Sequence, residues 1–388
     1  MPLALPPNAM RPCPAAGELT KPRSLCEQRC RHFTTPPKKE QFMKKLLPAL
    51  LALFIGTIGA RAADAGGFLF VTFRGESSPM TEQVYFMISE DGLNWLALNN
   101  AEPLLVSTLG TKGVRDPFIM RSYDNKKFYL LATDLSINRT PDWRKAQMEG
   151  SQSIVVWESE DLVHWSEPWL ANVGPADAGC IWAPEAAYDS RYQGYLVFWS
   201  SRTALDRYAQ QRIWAVRTKD FKEFGEPFVY IGRINDIIDA TIIQDNGLYY
   251  RFSKNESDKT IIMEKSKSLK GGWRRVDNFS LASMKGYEGP TCFMIEPPQG
   301  DKPPKWCLLL DHYAAGSGYE AFETDDLASG DFKATDKMNF PFSPVRHGTV
   351  MKLTPDEYRR LQAADQNHDF TVETTPDQDS SPEANITQ

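Results

Sequence analysis

One short wording recurs five times along this 388-residue chain, and any acceptable fold must repeat with it. In Ile88-Ser89-Glu90-Asp91-Gly92-Leu93-Asn94-Trp95 a strand end runs into a polar turn and then an aromatic residue. The same order returns at Glu158-Ser159-Glu160-Asp161-Leu162-Val163-His164-Trp165 and at Arg217-Thr218-Lys219-Asp220-Phe221-Lys222-Glu223-Phe224. Weaker copies run from Lys265-Ser266-Lys267-Ser268-Leu269 to Trp273 and from Glu323-Thr324-Asp325-Asp326-Leu327 to Phe332. Their Ser or Thr positions fall at 89, 159, 218, 266 and 324, a loose period of the kind that four short strands with loop insertions produce. The expected fold is all-β, a five-bladed β-propeller. A β-sandwich with similar turns is the alternative, but sandwich turns seldom recur with the same aromatic partner.

Between the copies, apolar runs are punctuated by Asp, Asn and Gly. Phe118 to Met120, Asp124-Asn125 and Phe128 to Ala132 form one such series; Thr241 to Ile243, Asp245-Asn246-Gly247 and Leu248 to Phe252 form another. Both read as hairpins. Helical periodicity waits until about Pro355 to Ala364, where Thr354-Pro355-Asp356-Glu357 has a cap-and-proline start. Aromatic residues make up 12% of the chain, which suits β packing and sugar platforms.

The apolar run Leu46 to Ile58 follows Met43-Lys44-Lys45 and precedes Ala60-Arg61-Ala62-Ala63, the anatomy of a signal peptide. It is shorter than the roughly 20 apolar residues of a membrane span. The expected organisation is therefore an upstream gene-model extension at 1–42, a signal peptide at 43–62 and the propeller at 63–365. A disordered polar tail is expected at 366–388. This predicts export to the periplasm or the exterior, with no membrane anchor in the mature protein, and leaves the oligomeric state open. The cysteines downstream of the signal are Cys180, Cys292 and Cys307, read as buried thiols. One bridge between Cys292 and Cys307 stays open if they lie on neighbouring strands. A net charge of -6 argues against a nucleic-acid partner.

In a propeller the innermost strands start near the central axis, so their first residues converge. Five such starts are legible: Arg115-Asp116-Pro117, Trp182-Ala183-Pro184-Glu185, Ile238-Asp239-Ala240, Tyr287-Glu288-Gly289-Pro290 and Arg346-His347-Gly348. Aligned by the apolar run that follows each, they place Asp116, Ala183, Asp239, Glu288 and His347 at equivalent positions. Taken singly, Asp-Pro and Glu-Gly-Pro are common turns, and Asp239 is as readily a structural acid. Together they resemble glycoside hydrolase family 43, whose members are five-bladed propellers acting on arabinose- and xylose-containing polysaccharides. The resemblance spans nearly the whole mature chain, with Glu185 standing where the family often has Asp.

The resemblance implies that Asp116 is a general base, Asp239 an orienting and pKa-modulating carboxylate, and Glu288 a general acid. The residue types suit that chemistry. Inverting hydrolysis needs one carboxylate to deprotonate water and one carboxylic acid to protonate the departing oxygen. An acid that keeps its proton near neutral pH is helped by a neighbouring negative charge, here Asp239. His347 resembles an axial histidine that in some members helps hold a metal ion. No cofactor is required, and a structural calcium beside His347 is left open. Arg115, Asp134, Trp182, Arg346 and His347 are candidate substrate contacts, with core packing, turn capping or ion pairing as their bland alternatives. Asp142-Trp143, in a long insertion, is a candidate pocket rim.

The expected partner is a carbohydrate and the expected activity that of an α-L-arabinofuranosidase. A β-xylosidase, or a galactan or galactofuranoside hydrolase, is the alternative within the same chemistry. A carbohydrate-binding propeller without catalysis is the alternative of another class.

Overall fold

The recurring wording is a turn that satisfies its own backbone. In the computed structural model, which describes residues 66–373, Ser89 Oγ accepts the Gly92 amide at 2.9 Å, and Asp91 Oδ1 accepts the Leu93 and Asn94 amides at 2.8 Å. Ser159 with Asp161 and Thr218 with Asp220 repeat these bonds at 2.8 to 3.0 Å. The weaker copies keep part of the pattern: Ser266 Oγ accepts from Ser268 N, and Asp326 Oδ1 from Ala328 N. The third turn position is left-handed, with φ of 73° at Gly92, 72° at Leu162 and 59° at Phe221. Leu162 and Phe221 tolerate that conformation because their side chains are fully buried, so apolar burial offsets backbone strain.

Each turn joins the third and fourth strands of a blade. Blade I comprises Val114–Arg121, Phe128–Asp134 and Ser153–Ser159, with His164–Trp165 and Trp169–Asn172 at its outer edge. Blade II comprises Trp182–Asp189, Gly194–Ser201, Arg212–Thr218 and Phe228–Ile231; blade III comprises Ile237–Asp245, Leu248–Asn255, Thr260–Ser266 and Arg274–Arg275. Blade IV comprises Glu288–Glu296, Lys305–Asp311, Tyr319–Thr324 and Lys333–Thr335. Blade V takes its innermost strand, Thr349–Leu353, from late in the chain and its outer strands, Gly67–Thr72, Tyr85–Ser89 and Leu96–Ala97, from early in it. Their antiparallel register, Val71 opposite Thr349 through Gly67 opposite Leu353, closes the ring. Each inner strand neighbours the next around the axis, I to V and back to I. The all-β, five-bladed expectation therefore holds. The hairpin at Asp245-Asn246-Gly247 also holds: Asp245 pairs with Leu248, and Asn246 and Gly247 have φ of 48° and 75°, as a tight two-residue turn requires.

Apolar clusters fill the wedges between blades. Phe86 of blade V meets Trp165 of blade I edge-on at 5.8 Å, so the turn aromatic of one blade packs on its neighbour. The helix Pro355–Asn367 starts where expected, with a reciprocal cap between Thr354 and Glu357, and buries Tyr358, Leu361 and Ala364. It outlasts the expected boundary. The polar tail expected from Gln366 is ordered as far as the described residues reach, because Thr371–Val372 adds in parallel to His164–Trp165 on blade I. Backbone pairing on an open sheet edge outweighs polar composition there. The signal-peptide and upstream segments lie outside the described residues.

Cys292 and Cys307 do lie on adjacent strands, but the register sets Cys292 opposite Leu308 and Cys307 opposite Phe293. That offset of one sends the two thiols to opposite faces of the sheet, so no bridge forms.

Candidate active site

The first four inner strands each begin with a β-bulge. Pairing jumps from Arg115–Thr133 to Phe118–Leu131, from Trp182–Ser200 to Glu185–Phe198, from Ile238–Lys254 to Thr241–Phe252, and from Glu288–Asp311 to Thr291–Leu309. The bulged residues are Asp116, Ala183, Asp239 and Gly289, all left-handed with φ between 49° and 54°. This corrects the alignment expected from sequence. Glu288 matches Arg115, Trp182 and Ile238, one residue before the bulge, and Gly289 takes the seat that Asp116 and Asp239 hold. Glycine is needed at 289, although three other residues adopt the same φ, because a Cβ would stand 2.6 Å from the His347 ring.

Opposite each strand start, at or one residue before the end of the second strand, stands a polar residue: Thr133, Ser200, Lys254 and Asp311. Each reaches into the next blade. Thr133 Oγ1 accepts from Ala183 N at 2.8 Å and Ser200 Oγ from Asp239 N at 3.1 Å. Lys254 Nζ donates to Glu288 Oε2 at 2.9 Å, and Asp311 Oδ2 accepts from Arg346 Nε at 2.7 Å.

Within this frame the carboxylates differ. Asp116 Oδ2 accepts from the Thr133 hydroxyl at 2.8 Å, and Oδ1 lies 3.4 Å from His347 Nδ1. Burial pushes the Asp116 carboxyl up, but the His347 hydrogen bond and charge, the Arg115 charge and the Thr133 hydroxyl hold it below the usual range. Asp239 is buried and accepts from Gly289 N at 3.2 Å. Burial, reinforced by Glu288 and Asp116 against the opposing His347 and Lys254, lifts Asp239 to about 7. Asp239 is thus a raised carboxyl, in contrast to Asp116. Burial would pull the His347 imidazole down, yet the Asp116 hydrogen bond and the charges of Asp239, Asp116 and Glu185 push it up to about 9. Glu185 lies deeper; burial raises it to about 8 against the Thr241 hydroxyl and the His347 charge.

Glu288 sits between two cations, Lys254 on Oε2 and Arg346 on Oε1 at 3.1 Å. Arg346 is anchored in turn by Asp311, whose side chain is wholly buried. Arg346, His347, Asp116, Asp239 and Glu288 are therefore brought together.

Other expected contacts go elsewhere. Arg115 is buried, pairs through Nη1 with Glu76 at 2.7 Å and Glu82 at 3.2 Å, and lies over the Phe73 ring, so its charge braces loops. Asp134 Oδ1 accepts the amide and hydroxyl of Thr111, each at 2.8 Å, which makes it a loop cap. Trp182 is half-buried and stands edge-on to Trp143 at 6.1 Å, while Trp143 is 48% exposed at the start of the helix Trp143–Met148, capped by Asp142. These two indoles lie at the same end of the blades as the carboxylates, as a rim would.

Lys254, Asp311 and Glu256 escape the sequence reading. No group of three or more His, Cys, Asp and Glu side chains suited to a metal ion occurs among the described residues. Calcium takes oxygen ligands, whereas the His347 ring offers nitrogen and turns its Nδ1 to Asp116.

Comparison with known proteins accords with this geometry. A family model described as a probable glycosyl hydrolase domain, related to glycosyl hydrolase family 43, matches residues 64–359. An alpha-L-arabinofuranosidase of Bifidobacterium longum subsp. longum is 33% identical over 241 residues, which cover 54% of this chain and 22% of that protein. The chain thus spans about a fifth of the length of that relative. Among solved structures, a thermostable family-43 glycoside hydrolase is 17% identical, with a TM-score of 0.42 over 60% of this chain and 74% of the other. An alpha-L-arabinanase of Penicillium chrysogenum, complexed with arabinobiose, is 15% identical, with a TM-score of 0.45 over 69% and 77%. With scores this low, neither bears on what this chain binds. On the match to its family model, the chain belongs to the family of glycosyl hydrolases related to family 43.

Proposed function

We propose that this chain hydrolyses O-glycosidic bonds with inversion, Asp116 serving as general base, Glu288 as general acid and Asp239 as the carboxyl that tunes and orients the pair. The observation that carries this reading is the meeting of three carboxylates from blades I, III and IV in two contrasting settings. Asp116 is kept ionised by His347, as a base must be. Glu288 belongs to a strand separated from that of Asp116 by the inner strand of blade V, which leaves room for the water that inversion places between the two carboxyls. Asp239, interacting with both, is where a proton can rest near neutral pH.

The substrate we favour is an α-L-arabinofuranosyl side chain of a polysaccharide or oligosaccharide, supported by the name of the Bifidobacterium relative. Trp182, with Trp143, would offer a sugar platform, and Arg346 a contact beside the acid. The reaction as proposed needs no metal, and the protein acts after export.

Purified protein is to be tested on a panel of aryl α-L-arabinofuranosides, β-xylosides and galactosides, with proton NMR of the first product. Arabinose released with inverted configuration is expected. Turnover of only a xyloside or galactoside would overturn the substrate, retention would overturn the roles of Asp116 and Glu288, and binding without turnover would favour a lectin-like propeller.

A further inference from the structure

We propose that Lys254 is a positioning residue for Glu288, an inference that rests on the general-acid reading above. Lys254 is the penultimate residue of the second strand of blade III, and its side chain is only 3% exposed. Its Nζ lies 2.9 Å from Glu288 Oε2, 2.6 Å from Glu256 Oε2 and 4.1 Å from the centre of the Tyr313 ring. The ammonium donates a hydrogen bond to Glu288 and is held by charge beside the Glu256 carboxylate and over the Tyr313 ring. The group therefore has one seat, set by a residue of its own blade and two of the next. Arg346 holds the other oxygen of Glu288 and is itself tied to Asp311. A cation from each flanking blade thus grips one oxygen, which fixes the plane of the carboxyl. A general acid works only with its proton aimed at the departing oxygen, and misplacement by about 1 Å costs about 10²-fold in rate.

The distinguishing property of a positioned acid is that it matters most when the leaving group is poor. The test is kcat/KM for Lys254→Met, Lys254→Arg and Glu288→Gln across a set of aryl glycosides that the parent turns over, from activated nitrophenyl to unactivated phenyl leaving groups. Lys254→Met is expected to lose about 10²-fold on the poorest leaving group and only a few-fold on the best, with partial recovery in Lys254→Arg. The double variant Lys254→Met/Glu256→Gln, which leaves no unpaired carboxylate behind, is expected to give the same split and decides the matter if Lys254→Met does not fold. Equal losses on every leaving group, or no loss, overturn the proposal. Glu288→Gln separates the two ideas. If it shows the steep leaving-group dependence and the Lys254 variants do not, only the role of Lys254 falls. If Glu288→Gln itself shows none, the general-acid reading falls first.

Discussion

The two ends of the blades satisfy their polar groups in opposite ways. At the outer turns, Asp91, Asp161 and Asp220 accept amides from residues two and three further along the same turn, so each blade is complete in itself. At the axial end, Thr133, Ser200, Lys254 and Asp311 find partners in the following blade, 35 to 50 residues away for the first and last of them. Local bonds repeat because their geometry needs only neighbours. Inter-blade bonds need the ring, and they are where the blades stop being copies: a hydroxyl, a hydroxyl, an ammonium and a carboxylate occupy one structural position. The proposed chemistry sits at the end where the repeat is broken.

That contrast predicts graded consequences. Asp116→Asn, at the axial end, should lower kcat about 10²- to 10⁴-fold, the range for loss of a general base; a few-fold loss would show that the axial end is not where the reaction occurs. Arg346→Met should destabilise by about 3–5 kcal/mol in urea unfolding, since it strips the cation from the fully buried Asp311. Adding Asp311→Leu should recover much of that loss; no recovery would mean the link between blades IV and V is not the source.

Asp239→Asn tests the same end through pH. The Asp239 carboxyl titrates at about 7 in the folded chain against an ordinary 3.8, so the folded state holds its proton more tightly than the unfolded one. Its contribution to stability is complete below about pH 4 and is lost as pH rises through about 7. The Asn variant should match the parent at the acid end of that window and exceed it above neutrality, read as urea midpoints across pH. The smallest effect belongs to the outer turns. Asp161→Ala should cost about 1 kcal/mol, as loss of a cap does, and leave kcat untouched. A change in kcat there would break the division between the two ends.

Much of this was legible in the chain because it is local. The Ser/Thr and Asp of each turn bond within the turn, and the helix cap at Thr354 and Glu357 is closed by residues three apart, so sequence spacing alone carries the geometry. The acids at the strand starts were legible too, since Asp239 interrupts an apolar run and Asp116 and Glu288 adjoin prolines or glycines. Their relative placement was not. A bulge adds a residue to one strand without altering its composition, so the apolar runs aligned Glu288 one position too far along.

By itself, then, the sequence determined the number of blades, the turns that end them and the set of acids at the axis, because period-two strands and short polar turns are decided among near neighbours. Only the tertiary structure decided which of those groups face one another. His347 on Asp116, Lys254 and Arg346 on Glu288, and Arg115 turned away to Glu76 and Glu82 follow from closing a ring between blades, and the charge each acid feels depends on distances that exist only after closure.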